Sequence, residues 1–182
     1  MNPPTPSRHP SRQSEFQPRW EDLRFPAQMI SSVKPVYNPT YYGYELRNNQ
    51  TDDLTYLVQL SHTWAHGTII KPHVHFVLPA AATGDIKFQL SYSWANVNEV
   101  FPAPTVVTKV HTISVATPDT HLVTGLASID GTGKNVSSIL RVVLARLGSD
   151  AQDTFTGDVY AAEFDIHYQI THNGTLTEFG PD

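Results

Sequence analysis

Cysteine is absent from the 182-residue sequence. The chain therefore forms no disulfide bonds, has no thiolate nucleophile and offers no cysteine ligand to zinc. A chain without cysteine is compatible with a reducing compartment.

Charge and long apolar runs are also scarce. Charged residues make up 16% of the sequence, the formal net charge is −5, and Lys and Arg form no cluster. Because binding to a phosphate backbone requires clustered cations, we expect no nucleic-acid partner. No stretch reaches the roughly 18 consecutive apolar residues of a membrane span. The N-terminus also lacks the apolar run of a signal peptide, so we expect no membrane association.

The first part of the chain is rich in proline, which disfavours a helix and leaves little apolar surface to bury. We assign residues 1–24 to a proline-rich extended arm and residues 25–182 to one β-sandwich domain. Trp20, Leu23 and Phe25 are the apolar residues expected to anchor the arm, on its own domain or on a neighbouring chain. The prolines of the arm are Pro3, Pro4, Pro6, Pro10 and Pro18.

From about residue 41 onward, apolar residues recur at every second position, as in half-buried β-strands. The clearest alternation covers residues 54–60, 68–78, 85–97 and 160–170, and weaker strands are expected at 41–47, 105–116 and 121–129. In the last strand, alternation assigns Tyr160, Ala162 and Phe164 to the core face. The segment 137–147 is apolar on both faces, and its β-branched residues favour a central strand or a subunit contact.

Turn signals rich in Gly, Asp and Asn separate these segments, and no long amphipathic helix is visible. About eight short strands at regular spacing predict an all-β fold. We expect a jelly-roll-like two-sheet β-sandwich with an extended N-terminal arm.

Two histidines, His73 and His75, alternate along one predicted strand and therefore face the same side, roughly 6.5–7 Å apart. Imidazoles placed in this way could share a metal ion. The spacing from Gly67 to these histidines resembles the first half of the cupin metal motif, but the glutamate that should follow and the second cupin motif are missing. If its strand adjoined that of His73, His167 would complete a three-histidine or two-histidine–carboxylate site.

The alternative is a polar sheet face, on which His73, His75 and His167 pair with Glu163 and Asp165 across strands or meet another subunit. We expect this structural role and assign these five residues to assembly. We therefore expect no catalytic residue, no bound metal and no cofactor, with the three histidines as the candidates if a metal binds.

Other patterns favour structure over chemistry. The segment Gly131-Thr-Gly-Lys resembles a phosphate loop but lacks its spacing and a following helix, so we expect a hairpin turn. Asp150, Asp153 and Asp158 are expected in an acidic surface loop rather than in a calcium site. The tryptophans and tyrosines could stack on sugars as in lectins. Alternation instead places Trp94 on the core face, so we expect it to pack in the core rather than bind a sugar.

Several short motifs follow one another along the chain. They are Trp20-Glu-Asp-Leu-Arg, Trp64-Ala-His-Gly-Thr, Lys71-Pro-His-Val-His, Tyr92-Ser-Trp-Ala-Asn, Gly131-Thr-Gly-Lys, Asp153-Thr-Phe-Thr-Gly-Asp and Glu163-Phe-Asp-Ile-His-Tyr-Gln. In this order and spacing they span most of residues 20–170, and the set resembles a group of tailed-bacteriophage virion proteins. The resemblance implies a trimeric structural protein of the particle, built on a jelly-roll-like sandwich.

We therefore expect a non-enzymatic protein of a bacteriophage virion, assembled in the host cytoplasm. The first choice is a capsid decoration (cement) protein that forms a homotrimer and attaches through its N-terminal arm to other virion proteins, such as the major capsid protein. A tail, collar or fibre-base component is the alternative within the same class. A cupin-like metal-dependent enzyme and a lectin-like binding module are the alternatives from other classes.

Overall fold

The computed structural model describes residues 19–25, 35–38, 41–115 and 117–170. This part of the chain contains ten β-strands and no helix, and so none that could cross a membrane. The strands are β1 (Arg19–Phe25), β2 (Pro35–Asn38), β3 (Tyr41–Leu46), β4 (Thr51–Gln59), β5 (Lys71–Leu78), β6 (Gly84–Ala95), β7 (Thr105–Ile113), β8 (Thr120–Gly125), β9 (Ile139–Leu147) and β10 (Val159–Ile170).

All strand pairs are antiparallel and form two sheets. Sheet A has the order β2-β3-β10-β5-β8, with β1 as a further partner of β10, and sheet B has the order β4-β9-β6-β7. Apart from β6 and β7, which pair with each other in sheet B, consecutive strands from β3 to β10 lie in opposite sheets, as in a jelly roll. The prediction of an all-β, jelly-roll-like sandwich is thus confirmed.

The core lies between the two sheets and is built from alternate residues of each strand. Sheet A contributes Leu46, Val74, Phe76, Leu78, Val159, Ala161, Phe164, Ile166 and Tyr168. Sheet B contributes Leu54, Tyr56, Val58, Ile86, Phe88, Leu90, Trp94, Leu140, Val142 and Leu144. The segment 137–147 supplies β9, which lies between β4 and β6 as the expected central strand.

A β-bulge changes which side chains of β10 face the core. The register against β5 shifts between Ala161 and Glu163, which moves the core face from odd to even positions. Val159 and Ala161 are therefore buried before the bulge, and Phe164 after it. The assignment of Tyr160 and Ala162 to the core face was wrong, because the alternation of apolar residues in the sequence does not reveal the extra residue that a bulge inserts.

The boundary between arm and domain also differs from the prediction. Residues 19–24, assigned to the arm, belong with Phe25 to strand β1, which pairs with β10 from Arg19↔Ile170 to Phe25↔Phe164. Leu23 and Phe25 pack against the core, so these two predicted anchors hold β1 on its own domain. Residues 1–18 lie outside the described residues.

The segment Gly131-Thr-Gly-Lys forms a turn closed by a hydrogen bond from Lys134 N to Gly131 O (2.9 Å). The expected hairpin is nevertheless wrong, because β8 and β9, which flank the turn, belong to different sheets. The connection crosses from one sheet to the other. A side chain at Gly131 would collide with the Trp64 ring and the Thr68 carbonyl, so only glycine fits there.

A fully buried ion pair ties sheet B to the loop before β10. The Arg146 guanidinium, on the core face of β9, bonds both Asp153 carboxylate oxygens at 2.8 and 3.0 Å. It also donates to the carbonyl oxygens of Leu46, Phe155 and Gly157 at 2.8–3.1 Å. Each of the five N–H donors of the arginine thus has an acceptor.

We predict that Arg146→Met lowers the free energy of unfolding by about 3–5 kcal/mol, because it leaves the Asp153 carboxylate buried without its cation. The matched control is Arg141→Met, on the exposed face of the same strand, which should cost less than about 1 kcal/mol. Urea unfolding measures both values. Equal losses would show that the buried pair does not stabilise the fold.

Candidate functional site

The polar face of sheet A is brought together by the pairing of β5 with β10. In this register His73 lies opposite Asp165, Lys71 opposite His167 and His75 opposite Glu163. The condition set by the sequence analysis, that the strand of His167 adjoin that of His73, is therefore met. The imidazoles lie on the outer face of the sheet, away from the core between the sheets.

Asp165 is the centre of the cluster. Its side chain is buried although it lies on the outer face, with a residue exposure of 3%. Its Oδ2 is 3.4 Å from His167 Nε2 and 3.5 Å from His75 Nε2, and its Oδ1 is 3.8 Å from His73 Nδ1. One carboxylate thus faces three imidazoles, and the His73 and His167 rings lie against each other with centroids 4.0 Å apart.

A fourth histidine, His121, extends the cluster onto β8. Its Nε2 is 2.8 Å from His75 Nδ1, and the two rings are nearly parallel. Sequence reasoning missed His121 because it lies in a weakly patterned strand, far along the chain from the other histidines. The alternation of His121, Val123 and Gly125 was the available signal, and it becomes informative only once β8 is known to pair with β5.

Two further predicted assembly residues, Glu163 and Trp20, lie on β10 and on the neighbouring strand β1. Glu163 is the register partner of His75 but forms no ion pair within the described part of the chain. Trp20, on β1, is the register partner of Gln169 on β10. The side chain of Trp20 lies outside the described part of the chain. His62 and His66 lie in the loop between β4 and β5, as expected for loop histidines.

Burial governs the electrostatics of His73. The pKa of His73 lies below its ordinary value, first because burial disfavours the charged imidazolium and then because of repulsion from His167. The Asp165 carboxylate opposes this effect only in part. His73 is therefore held towards its neutral form, in which a ring nitrogen carries a free lone pair.

The other candidate sites are occupied by protein contacts. Asp150 bonds Lys87 Nζ, Asp153 bonds Arg146, and Asp158 accepts a bond from Asn48 N. These contacts leave none of the three carboxylates directed at a common ion. Among the described residues, only His73, Asp165 and His167 place potential ligand atoms within 4.8 Å of one another.

Trp64 and Trp94 do not form a sugar platform. Trp64 and Trp94 are buried in the core with ring centroids 5.6 Å apart. The indole N–H groups donate to the hydroxyls of Thr68 and Ser138. Neither ring is open to a ligand. The expectation that Trp94 packs in the core is therefore confirmed.

Comparison with known proteins yields structural likenesses alone. Neither family models nor curated proteins match this chain. Among solved structures, it is similar to the CBM22-1–GH10 portion of Clostridium thermocellum endo-1,4-beta-D-xylanase 10B, complexed with xylohexaose, with a TM-score of 0.44 and 16% identity. The match covers 87% of this chain and 27% of the xylanase chain, so this chain spans about a quarter of that protein.

Two carbohydrate-binding modules are similar over most of their length. TmCBM61, in complex with beta-1,4-galactotriose, has a TM-score of 0.36 and 13% identity, with 87% of this chain and 91% of that chain covered. The family 11 module from Clostridium thermocellum, in complex with a beta-1,3-1,4-mixed-linked tetrasaccharide, has a TM-score of 0.29 and 14% identity, with 82% and 86% covered. These likenesses concern the β-sandwich fold.

His111, on β7, is a second imidazole held towards its neutral form. Its ring packs edge-on against Phe76 at 5.2 Å. The pKa of His111 lies below its ordinary value of 6.5, first because of burial and then because of the Lys109 charge. The unfolded chain therefore binds a proton at this residue at a higher pH than the folded chain does.

We predict that the protein loses stability as the pH falls below about 6.5, and that His111→Gln reduces this loss. The sign follows because the unfolded state binds more protons in this range, so the free energy of unfolding increases with pH. Urea unfolding at pH 5.5 and pH 8 measures the difference. The values at pH 8, where the His111 imidazole is neutral, isolate the packing cost of the substitution. An identical pH dependence in both proteins would contradict the prediction.

Proposed function

We propose that this chain is a non-enzymatic structural protein of a tailed-bacteriophage particle, a capsid decoration protein that self-associates. The observation that carries the proposal is the exposed edge strand β7. Six of its nine residues are exposed, and its outer edge pairs with no described strand. A long edge strand of this kind is a template for pairing with another chain.

The side chains of β7 favour a protein partner over solvent. The strand is rich in β-branched residues, and Val106 and Val110 are exposed on its outer face. The preceding loop adds Val100 and Phe101, and the Phe101 ring lies 5.4 Å from the Arg141 guanidinium. Lys109 is the one ammonium or guanidinium group on the strand, so few charges protect the edge.

A second copy of the same chain is the occupant that we propose for this edge. Most soluble oligomers are closed and symmetric, and a heterologous edge contact forms a ring where the rotation between neighbouring copies closes. A homotrimer is the ring that the resemblance to virion proteins implies. The proline-rich segment that precedes Arg19 would extend from the paired strand β1 to a neighbouring capsid protein, which requires backbone contacts rather than a folded surface.

The absence of catalysis is part of the proposal. The imidazoles of the histidine cluster lie on the outside of sheet A rather than in an enclosed cavity, where a reaction could exclude water. The buried tryptophans likewise give no support to a lectin-like module. A position on the tail or collar instead of the capsid would appear in an image of the particle.

We predict that Val106→Glu converts the oligomer into a monomer, because a buried carboxylate at a strand–strand contact lacks a partner. The matched control is Val115→Glu, at a residue that is 84% exposed just beyond β7. Light scattering at micromolar concentration measures the mass of both variants and of the unchanged protein. If the unchanged protein is itself a monomer at this concentration, the proposed interface is excluded.

We predict that deleting residues 1–18 leaves the melting temperature within a few degrees but abolishes incorporation into particles. Deleting residues 1–25 should in addition destabilise the fold by several kcal/mol, because it removes β1 with Leu23 and Phe25 from the core. Antibody labelling of purified particles measures incorporation. Normal incorporation of the shorter deletion would exclude attachment through the arm, and no labelling of the unchanged protein would exclude the virion role.

A further inference from the structure

Two buried polar atoms in the histidine cluster lack a hydrogen-bond partner. They are Asp165 Oδ1 and His73 Nδ1, which face each other at 3.8 Å. A buried carboxylate oxygen without a partner is costly and requires an explanation, such as a bound ion. The cluster therefore has the polarity of a cation site.

The distances around Asp165 are too long for charge-assisted hydrogen bonds. Such bonds measure about 2.7–2.9 Å, as at Arg146 and Asp153 in the same protein, where the distances are 2.8 and 3.0 Å. The three imidazole–carboxylate distances at Asp165 are 3.4, 3.5 and 3.8 Å. Two ligands that each lie about 2.0–2.1 Å from a tetrahedral metal are roughly 3.4 Å apart.

His121 provides a supporting contact typical of metal sites. A ligating histidine usually donates its other ring N–H to an acceptor, which fixes the tautomer. His75 Nδ1 lies 2.8 Å from His121 Nε2. When His75 donates this bond, its Nε2 presents a lone pair towards Asp165 Oδ2, and a cation between the two acceptors removes their repulsion.

We propose that His73, Asp165 and His167 bind one divalent transition-metal ion of the zinc class. The ring nitrogens of His75 lie outside this group of three, so His75 becomes the fourth ligand through a shift of its side chain. Imidazole and carboxylate donors favour this class over calcium and magnesium, which prefer oxygen ligands alone. The site adds a metal to a residue group that the sequence analysis assigned to assembly. It does not depend on the proposed virion role.

Two cationic side chains lie near the site. Lys71 and Lys109 border a shallow depression of about 370 Å³ beside His73. Both lysines are exposed, so water and salt screen their repulsion of a bound cation.

The ion would join strands that are already paired. His73 and His75 lie on β5, Asp165 and His167 lie on β10, and His121 links the site to β8. Because the folded chain assembles these ligands and the unfolded chain does not, the free energy of metal binding adds to the stability of sheet A.

The test uses the full chain purified without a polyhistidine tag, stripped with EDTA and then titrated with Zn²⁺. We expect one zinc per chain by elemental analysis. At a zinc concentration of 100 times Kd, we expect the melting temperature to rise by about 5–10 °C. Substitution of Co²⁺ for zinc should give the visible absorption of a tetrahedral site with nitrogen ligands.

The variants separate the site from other histidines. His73→Gln and Asp165→Asn should abolish zinc binding, whereas the control His111→Gln should retain it. If His73→Gln and Asp165→Asn fail to fold, His121→Gln provides the test, because His121 is more exposed. This variant loses the hydrogen bond between His121 and His75, which should weaken zinc binding 10–100-fold. Absence of zinc binding to the unchanged protein, or equal affinity in His121→Gln and His111→Gln, would overturn the proposal. Light scattering of the same samples shows separately whether the oligomer persists.

Discussion

Strand β10 has neighbours along both edges, and the rest of sheet A depends on this arrangement. Its first residues pair with β3 and its later residues with β1 on the same side, while β5 pairs along the other side. The bulge after Ala161 lets both halves direct apolar side chains into the core despite the change of partner. The same register sets Asp165 opposite His73, so the core and the histidine cluster follow from one set of backbone hydrogen bonds.

Local patterning was sufficient to predict the fold class but not the register. Alternation of apolar residues identified the principal strands, and regular turn signals indicated a jelly-roll-like sandwich, because both are properties of short segments. The bulge in β10 could not be predicted, since it depends on which strands lie on either side. Residues 19–24 were assigned to the arm because they follow a run of prolines, and their pairing with β10, at the other end of the described chain, is not visible in local sequence. His121 was missed for a related reason, because its contact with His75 requires the pairing of β5 with β8.

The two sheets present surfaces of different chemistry to solvent. Sheet A has polar and titratable groups around a buried carboxylate on its outer face. Sheet B ends in an edge strand with exposed valines. These surfaces lie on different sheets but meet at the depression beside His73, which Lys109 of β7 also borders. The proposed metal binding and the proposed self-association are therefore tested with separate variants. Away from both surfaces, the Arg146–Asp153 pair connects β9 with the loop that leads into β10.

The pairing of β1 with β10 joins the two ends of the described chain and has a consequence for folding during synthesis. A ribosome releases the chain from its N-terminus, so β1 emerges long before β10, its partner strand in the described part of the chain. Contacts of such high sequence separation form late and slow the folding of β-rich domains. Until translation passes β10, Leu23 and Phe25 have no strand to pair with. Newly made chains would therefore complete sheet A only when the synthesis of β10 is finished.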